Sequence, residues 1–271
     1  GNERPEIRLY GEIFAGASID LGVAEAGVDG DGVAAGAHDP GVDGPDQPVA
    51  AGLDLVRYHP VFLGVERRLG RRQSTLEVFV VQRGLDDVVK AGKVRWIGCS
   101  NLPGWQLVHS LWRSETEKLA RFVVSQNQYS ILSREVEPEL FDALRVHGLS
   151  LVPYFPLAGG FLTGKYRRGQ AMPAGARLSG NERLQKMFIN DARYAIVERL
   201  APWCEAHGMT LAELAFRWLL ACNLVPSVIA GASTPAQVEA NAKAVAGALS
   251  ATERAEVEKL ADNRPLAFGE H

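Results

Sequence analysis

A chain of 271 residues, 46% hydrophobic and 23% charged, has the length of one α/β barrel or two ordinary domains and can bury a sizeable core. Its net charge of −3 builds no field that would gather nucleic acid or an anionic membrane. No apolar run approaches the roughly 18 residues of a spanning helix and no signal peptide opens the chain, so a cytoplasmic protein is expected.

The first 83 residues differ in texture from the rest. From Asp20 to Arg57 only Gly, Val, Ala, Glu, Asp, Leu, His, Pro, Gln and Arg occur, and no lysine precedes Lys90. Residues 27–52 have no amphipathic period and too few apolar side chains to offset chain entropy. A disordered insertion or flexible linker is one expectation. The genetic code gives another. The residue types in that run are the ones whose codons can begin with G or C, the bases that fill most third positions in a GC-rich gene. Residues 12–82 therefore also read as an out-of-frame stretch, with the frame regained near Gly84.

After Gly84 an α/β chain is predicted. Residues 85–91 form a short amphipathic helix stopped by Gly92. A buried strand at 94–99 ends in Ser100 and Asn101, and a helix at 105–113 and a strand at 122–127 follow. Leu140, Phe141 and Leu144 mark a helix over 138–147, with Gly148 as its stop. Ser150–Tyr154 is the third strand, and 167–190 reads as a long polar loop. Two helices cover 194–207 and 211–222, the second opened by a capping box of Thr210 and Glu213. A fourth strand is predicted at 225–230. Pro235 after Thr234, and Ser250 with Glu253, start the last two helices. Cys99, Cys204 and Cys222 form no CxxC pair, so buried, reduced thiols are expected and no metal site.

Strands alternating with helices call for a parallel sheet, and the strand ends carry recognisable residues. These are GKVRWIGCSNLPGWQL at 92–107, SQNQYSILSR at 125–134, LVPYFPLAGGFLTGKY at 151–166 and VIAGASTPAQVEAN at 228–241. In order and spacing the four resemble the ends of the fifth to eighth strands of aldo-keto reductases, over residues 84–265. The resemblance implies an α/β, (β/α)8 TIM barrel. Residues 84–271 would be its C-terminal half, with strands 5–8 intact. Residues 1–83 would be a truncated, aberrant or disordered N-terminal segment, or a frame-shifted remnant of strands 1–4.

The resemblance also implies roles. Ser100 and Asn101 would hydrogen-bond a nicotinamide carboxamide, with Gln126 sharing the task, and the Tyr154 ring would stack on the nicotinamide face. Phe155, Pro156, Leu157, Ala158 and Gly159 would wrap the pyrophosphate with main-chain N–H groups. Phe155 stands where serine is commoner. Gly231, Ala232 and Ser233, before a helix N-terminus, would hold the adenosine end and its 2′-phosphate together with Gln237 and Asn241. NADP is the implied cofactor. NAD stays open, because Gln237 and Glu239 are not basic where many relatives carry Arg or Lys.

Family members reduce aldehydes and ketones to alcohols by hydride transfer. A tyrosine donates the proton, an aspartate and a lysine lower its pKa, and a histidine orients the carbonyl. All four lie in the first half of the barrel. No lysine precedes Lys90, and GNER at 1–4 resembles the stretch just after the catalytic tyrosine. Tyr10 has no aspartate five or so residues before it. LDLVRYH at 53–59 is similar to the strand that supplies the histidine, with His59 in its place. No catalytic residue is assigned. The expectation is an NAD(P)H-dependent reductase of a small-molecule carbonyl substrate, impaired in catalysis. A non-catalytic dinucleotide-binding or regulatory protein, or a non-functional gene remnant, is the alternative. Oligomeric state is left open.

Overall fold

The computed structural model describes the side chains of residues 81–262, and the backbone also of 8–13, 17–23, 61–62 and 75–80. Strands β1 (Arg8–Ile13) and β2 (Ala17–Val23) pair antiparallel. The main sheet is parallel, in the order β3 (Val61–Phe62), β4 (Ile97–Ser100), β5 (Phe122–Gln128), β6 (Ser150–Tyr154). Parallel neighbours need a crossover. Here α1 (Thr75–Lys90) lies between β3 and β4, α2 (Gly104–Glu117) between β4 and β5, and α3 (Glu137–His147) between β5 and β6. Beyond β6 come α4 (Glu182–Phe188), α5 (Asp191–Ala206), α6 (Leu211–Leu220), α7 (Pro235–Ala244) and α8 (Ala251–Ala261). The fold is α/β with a parallel sheet.

Register decides which side chains meet. Ser100 pairs with Gln126 and Gln126 with Val152, while Gln128 pairs with Tyr154. Because side chains alternate along a strand, these residues share one half-buried face that is polar towards the strand C-termini. The opposite face carries Ile97, Cys99 and Leu151, which pack with Leu107, Leu111, Leu140 and Leu144 into one apolar core. Each of those leucines, taken wholly out of water, contributes about 1.5–3 kcal/mol. All three cysteines are free and buried. Burial pushes the Cys99 and Cys204 thiols up to about 11, so both are inert neutral hydrophobes.

Several predicted elements stand as read. Ser150–Tyr154 is a strand over its whole predicted length, and both capping boxes, Thr210 with Glu213 and Ser250 with Glu253, are closed in both directions. Thr234 caps α7 with Pro235 at its first position, and Gly148 ends α3 in the left-handed region at φ 64°. Others differ. The helix ending before Gly92 begins at Thr75 and runs through Gly84. The Lys93 N–H still bonds the Val88 carbonyl at 3.1 Å, so the chain reaches the sheet only at Ile97 and leaves Trp96 61% exposed. The polar loop at 167–190 contains α4, nucleated where the Asn181 side chain accepts from the Leu184 N–H at 3.0 Å.

The fourth strand predicted at 225–230 is not formed. That segment lies beside β6 and makes two bonds to it, Leu151 N–H to the Leu224 carbonyl (2.7 Å) and Ile229 N–H to the Pro153 carbonyl (2.9 Å). Between them a ladder would need the N–H of Pro153, and on the facing segment Pro226 lacks one too. Position is right; regular pairing is chemically blocked.

Candidate functional site

The C-terminal ends of β4, β5 and β6 are joined by a chain of hydrogen bonds. The Ser100 hydroxyl donates to the Gln126 carbonyl at 2.8 Å, and the Asn101 backbone N–H donates to the same carbonyl at 3.2 Å. Asn101 Nδ2 donates to Ser100 Oγ at 3.0 Å, and the Tyr154 hydroxyl donates to Asn101 Oδ1 at 2.8 Å, reaching across β5. Asn101 can serve here because it sits at φ 58°, a left-handed conformation that asparagine tolerates better than most residues. Burial pushes the Tyr154 hydroxyl above its usual range, while its bonds with the Asn101 side chain and the Gln128 backbone pull the other way. It is therefore protonated at neutral pH.

One strand position along, Gln128 Nε2 donates to Ser133 Oγ at 3.2 Å, and Arg193 Nη2 donates to the same oxygen at 3.2 Å. Arg193 also donates to the Met187 carbonyl. The loop after β5 is thereby tied to the segment leading into α5.

After Tyr154 the backbone turns left-handed repeatedly, at Phe155 (φ 55°), Ala158 (48°), Gly159 (70°) and Gly160 (93°). Such conformations are unfavourable for Phe and Ala by about 1–2 kcal/mol each, and they persist where the surroundings over-determine them. The surroundings do so here. The Phe155 ring packs edge-on against Phe188, with centroids 5.2 Å apart, and against Tyr154 at 5.4 Å. Gly159 is buried, and a Cβ there would meet Leu178 and Phe188 at 2.9 Å. Within the loop the Ala158 N–H donates to the Phe155 carbonyl at 2.9 Å and the Gly160 N–H to the Leu157 carbonyl at 2.8 Å, and Pro156 has no N–H.

Two cations border the loop. Arg177 holds its guanidinium over the Phe155 ring, Cζ 5.2 Å from the centroid, and its Nη1 would be 3.1 Å from a Cβ on Gly231. The Lys165 side chain lies against Gly160, and its ammonium is 5.3 Å from the centre of the Tyr166 ring. Ahead of α7, the Gln237 amide oxygen accepts from the Ser233 N–H (2.7 Å) and hydroxyl (3.0 Å).

The predicted residues thus fall into two groups. Ser100, Asn101, Gln126 and Tyr154 come together at the strand ends, with Phe155, Pro156, Leu157 and Gly159 in the loop that continues from them. Gly231, Ala232, Ser233 and Gln237 are exposed and Asn241 half-buried around the start of α7, and Arg177 links this group to the first. Sequence reasoning missed Arg177, Lys165 and Gln128. Lys165 was visible in the GKY that closes the third motif, but Arg177 stands alone in a polar loop with no spacing to mark it. His59 and the Tyr10 side chain lie outside the described residues, as do GNER at 1–4 and residues 27–52. Among the described residues no group of three His, Cys, Asp or Glu could hold a metal ion, and no helix is long and apolar enough to cross a membrane.

The model of the Aldo/keto reductase family matches residues 49–262, which includes His59 and starts ahead of the boundary at residue 84. An uncharacterised oxidoreductase of Bacillus subtilis (strain 168), YrpG, is 32% identical over 157 residues, 58% of this chain and 46% of that protein. Protein tas of Escherichia coli (strain K12) is 32% identical over 176 residues, 65% of this chain and 50% of its own. The NADH-specific methylglyoxal reductase of Escherichia coli (strain K12) is 30% identical over 164 residues, 59% and 47% of the two chains. The chain spans about half the length of the curated relatives it matches.

Proposed function

This chain belongs to the aldo/keto reductase family, and from that premise we propose that it holds a nicotinamide dinucleotide along the C-terminal ends of β4, β5 and β6 for oxidoreduction of a small carbonyl compound. The observation that carries the reading is the hydrogen-bonded cluster of Ser100, Asn101 and Tyr154 over Gln126, continuing directly into a left-handed loop bordered by Arg177 and Lys165. Polar groups at strand C-termini beside an anion-binding loop are where α/β barrels place their sites. A closed (β/α)8 barrel and a cytoplasmic setting belong to the same proposal.

The residues fit the cofactor part by part. Tyr154 offers a ring face to the nicotinamide, and Asn101 keeps one lone pair and one N–H free to match a carboxamide. The N–H groups of Leu157 and Gly159, in a loop of repeated left-handed turns, suit the pyrophosphate. Arg177, beside Gly231, brings near the start of α7 the positive charge that Gln237 and Glu239 lack, which favours NADP over NAD. Bound there, the cofactor supplies the hydride.

A second reading is dinucleotide binding without turnover, which the same cluster and loop would serve as they stand. One experiment tests both. Titration with NADPH and NADH should quench tryptophan fluorescence, and Tyr154→Ala should weaken binding by about 1 kcal/mol, the scale of a lost aromatic stack. NADPH oxidation with 4-nitrobenzaldehyde then separates the readings. Turnover of about 1 s⁻¹ or above marks an enzyme, and binding with only background oxidation marks the second reading. Absence of any cofactor binding sinks both.

A further inference from the structure

Arg193, in the first turn of α5, is a cation without a counter-ion. Its side chain is half-buried and its partners are all neutral. Nη1 donates to the Met187 carbonyl, Nη2 donates to the Ser133 hydroxyl at 3.2 Å, and Cζ stands 5.6 Å from the centre of the Phe188 ring. Among the described residues no carboxylate pairs with it. Those bonds use two of the five N–H groups of a guanidinium, so three remain. Burial pulls its pKa below the ordinary value, and the charge of Glu135 restores only part of the loss. A charge taken out of water without a partner is costly. The spare donors call for an anion.

The anion has a place to sit. Arg193 lines a cavity of about 260 Å³ with Leu132, Arg134, Glu135, Asn190 and Ile196, room for a small organic molecule rather than a single water. Arg134 is 4% exposed. Its Nε and Nη2 hold Glu137 at 2.7 and 2.9 Å, which leaves Nη1 buried with no hydrogen-bond partner. Ala192, in the same lining, has a first-turn N–H with no acceptor inside the helix. Glu135 and Asn190 are exposed, so solvent reaches the cavity past them.

We propose that Arg193 and Arg134, with the Ala192 N–H, form a site for a small oxyanion, a carboxylate or phosphate group held by guanidinium donors at the start of α5. None of these residues is assigned to the cofactor above, and the site does not depend on that assignment. Glu135, the one carboxylate of the lining, competes with the anion for Arg193.

Calorimetric titration of the full chain with sodium malonate and with inorganic phosphate, at an ionic strength held constant with chloride, tests the site. At least one should bind with a Kd of about 1 mM or tighter, the yield of two charge-assisted hydrogen bonds, and the tighter of the two names the group preferred. Arg193→Gln should weaken that binding roughly tenfold or more. Glu135→Gln should tighten it about two- to fivefold, the scale of one exposed charge. Arg177→Met should leave it unchanged. No binding of either anion, or equal affinity in Arg193→Gln, overturns the proposal. Loss in Arg177→Met with Arg193→Gln unaffected places the anion in the loop after β6 and overturns it too. If Arg193→Gln fails to fold, Glu135→Gln decides, because that side chain is exposed, and unchanged affinity there sinks the site.

Discussion

Arg177 holds its guanidinium over Phe155, Cζ 5.2 Å from the ring centroid, and reaches Gly231 with the same group. One side chain therefore closes the loop after β6 onto the segment before α7. Weakly hydrated, planar and always charged, arginine suits both stacking and phosphate recognition.

Arg177→Met should weaken NADPH binding roughly tenfold or more, since hydrogen bonds to charged groups are worth about 1.5–3 kcal/mol. Raising salt should weaken binding to the natural chain and should act less on the mutant, because exposed charges are screened. Equal salt dependence in titrations of the two proteins would remove Arg177 from the phosphate site.

Gly159 and Gly231 should respond differently to alanine. At Gly159 the backbone is at φ 70° and a Cβ would press into Leu178 and Phe188, so Gly159→Ala should lower stability by about 1–3 kcal/mol. At Gly231 the group met is the tip of Arg177, which can swing away. Gly231→Ala should leave the unfolding free energy from urea titration within about 0.5 kcal/mol yet lower NADPH affinity. Similar midpoints for the two mutants would show that the loop is not packed as described.

Acid should loosen the junction of α1 and α2. Arg113, and then Arg83, hold the Glu117 carboxyl down at about 2, below its unfolded value of about 4.3. A carboxylate depressed by folding contributes fully above the unfolded pKa and progressively less as pH falls through the folded one. Stability should therefore drop between about pH 4.3 and pH 2, more steeply in the natural chain than in Glu117→Gln. Urea midpoints at pH 6 and pH 3 measure it, and parallel losses in both proteins would discount the ion pairs.

Thr210→Ala opens the capping box of α6, where Glu213 returns the bond to the Thr210 N–H at 2.7 Å. A cost of about 1 kcal/mol is expected. Glu213 is held below its ordinary range, first by the Thr210 backbone N–H and then by its hydroxyl, so the same mutation should raise the Glu213 pKa in an NMR titration. No change in that titration would leave the cap without energetic weight.

Local chemistry explains which parts of the molecule were legible in the sequence. The capping boxes at Thr210 and Ser250, the glycine stop at Gly148 and the strand Ser150–Tyr154 are set by neighbours within a few residues. The candidate site was legible because Ser100, Asn101, Gln126 and Tyr154 are strand-end residues of linked motifs, and parallel register brings strand ends together. What was missed depends on distant contacts. Arg177 acquires its role only by meeting Phe155 and Gly231. The extra turns of α1 before Gly84 fall in a stretch whose composition hid them, and α4 is a short helix carried by a single Asn181 cap. At 225–230 an apolar run looks like any buried strand until Pro153 is placed opposite it.

That pairing of prolines also bears on how the protein behaves at high concentration. Among the described residues β6 is the last strand of its sheet, and an exposed sheet margin is a template on which other chains can stack into fibres. Here the outward donor of Leu151 and the outward carbonyl of Pro153 are both occupied by residues 224 and 229, and Pro153 has no N–H to offer. The segment that fails to become a strand therefore still covers this margin and takes up two of the groups on which another chain could stack.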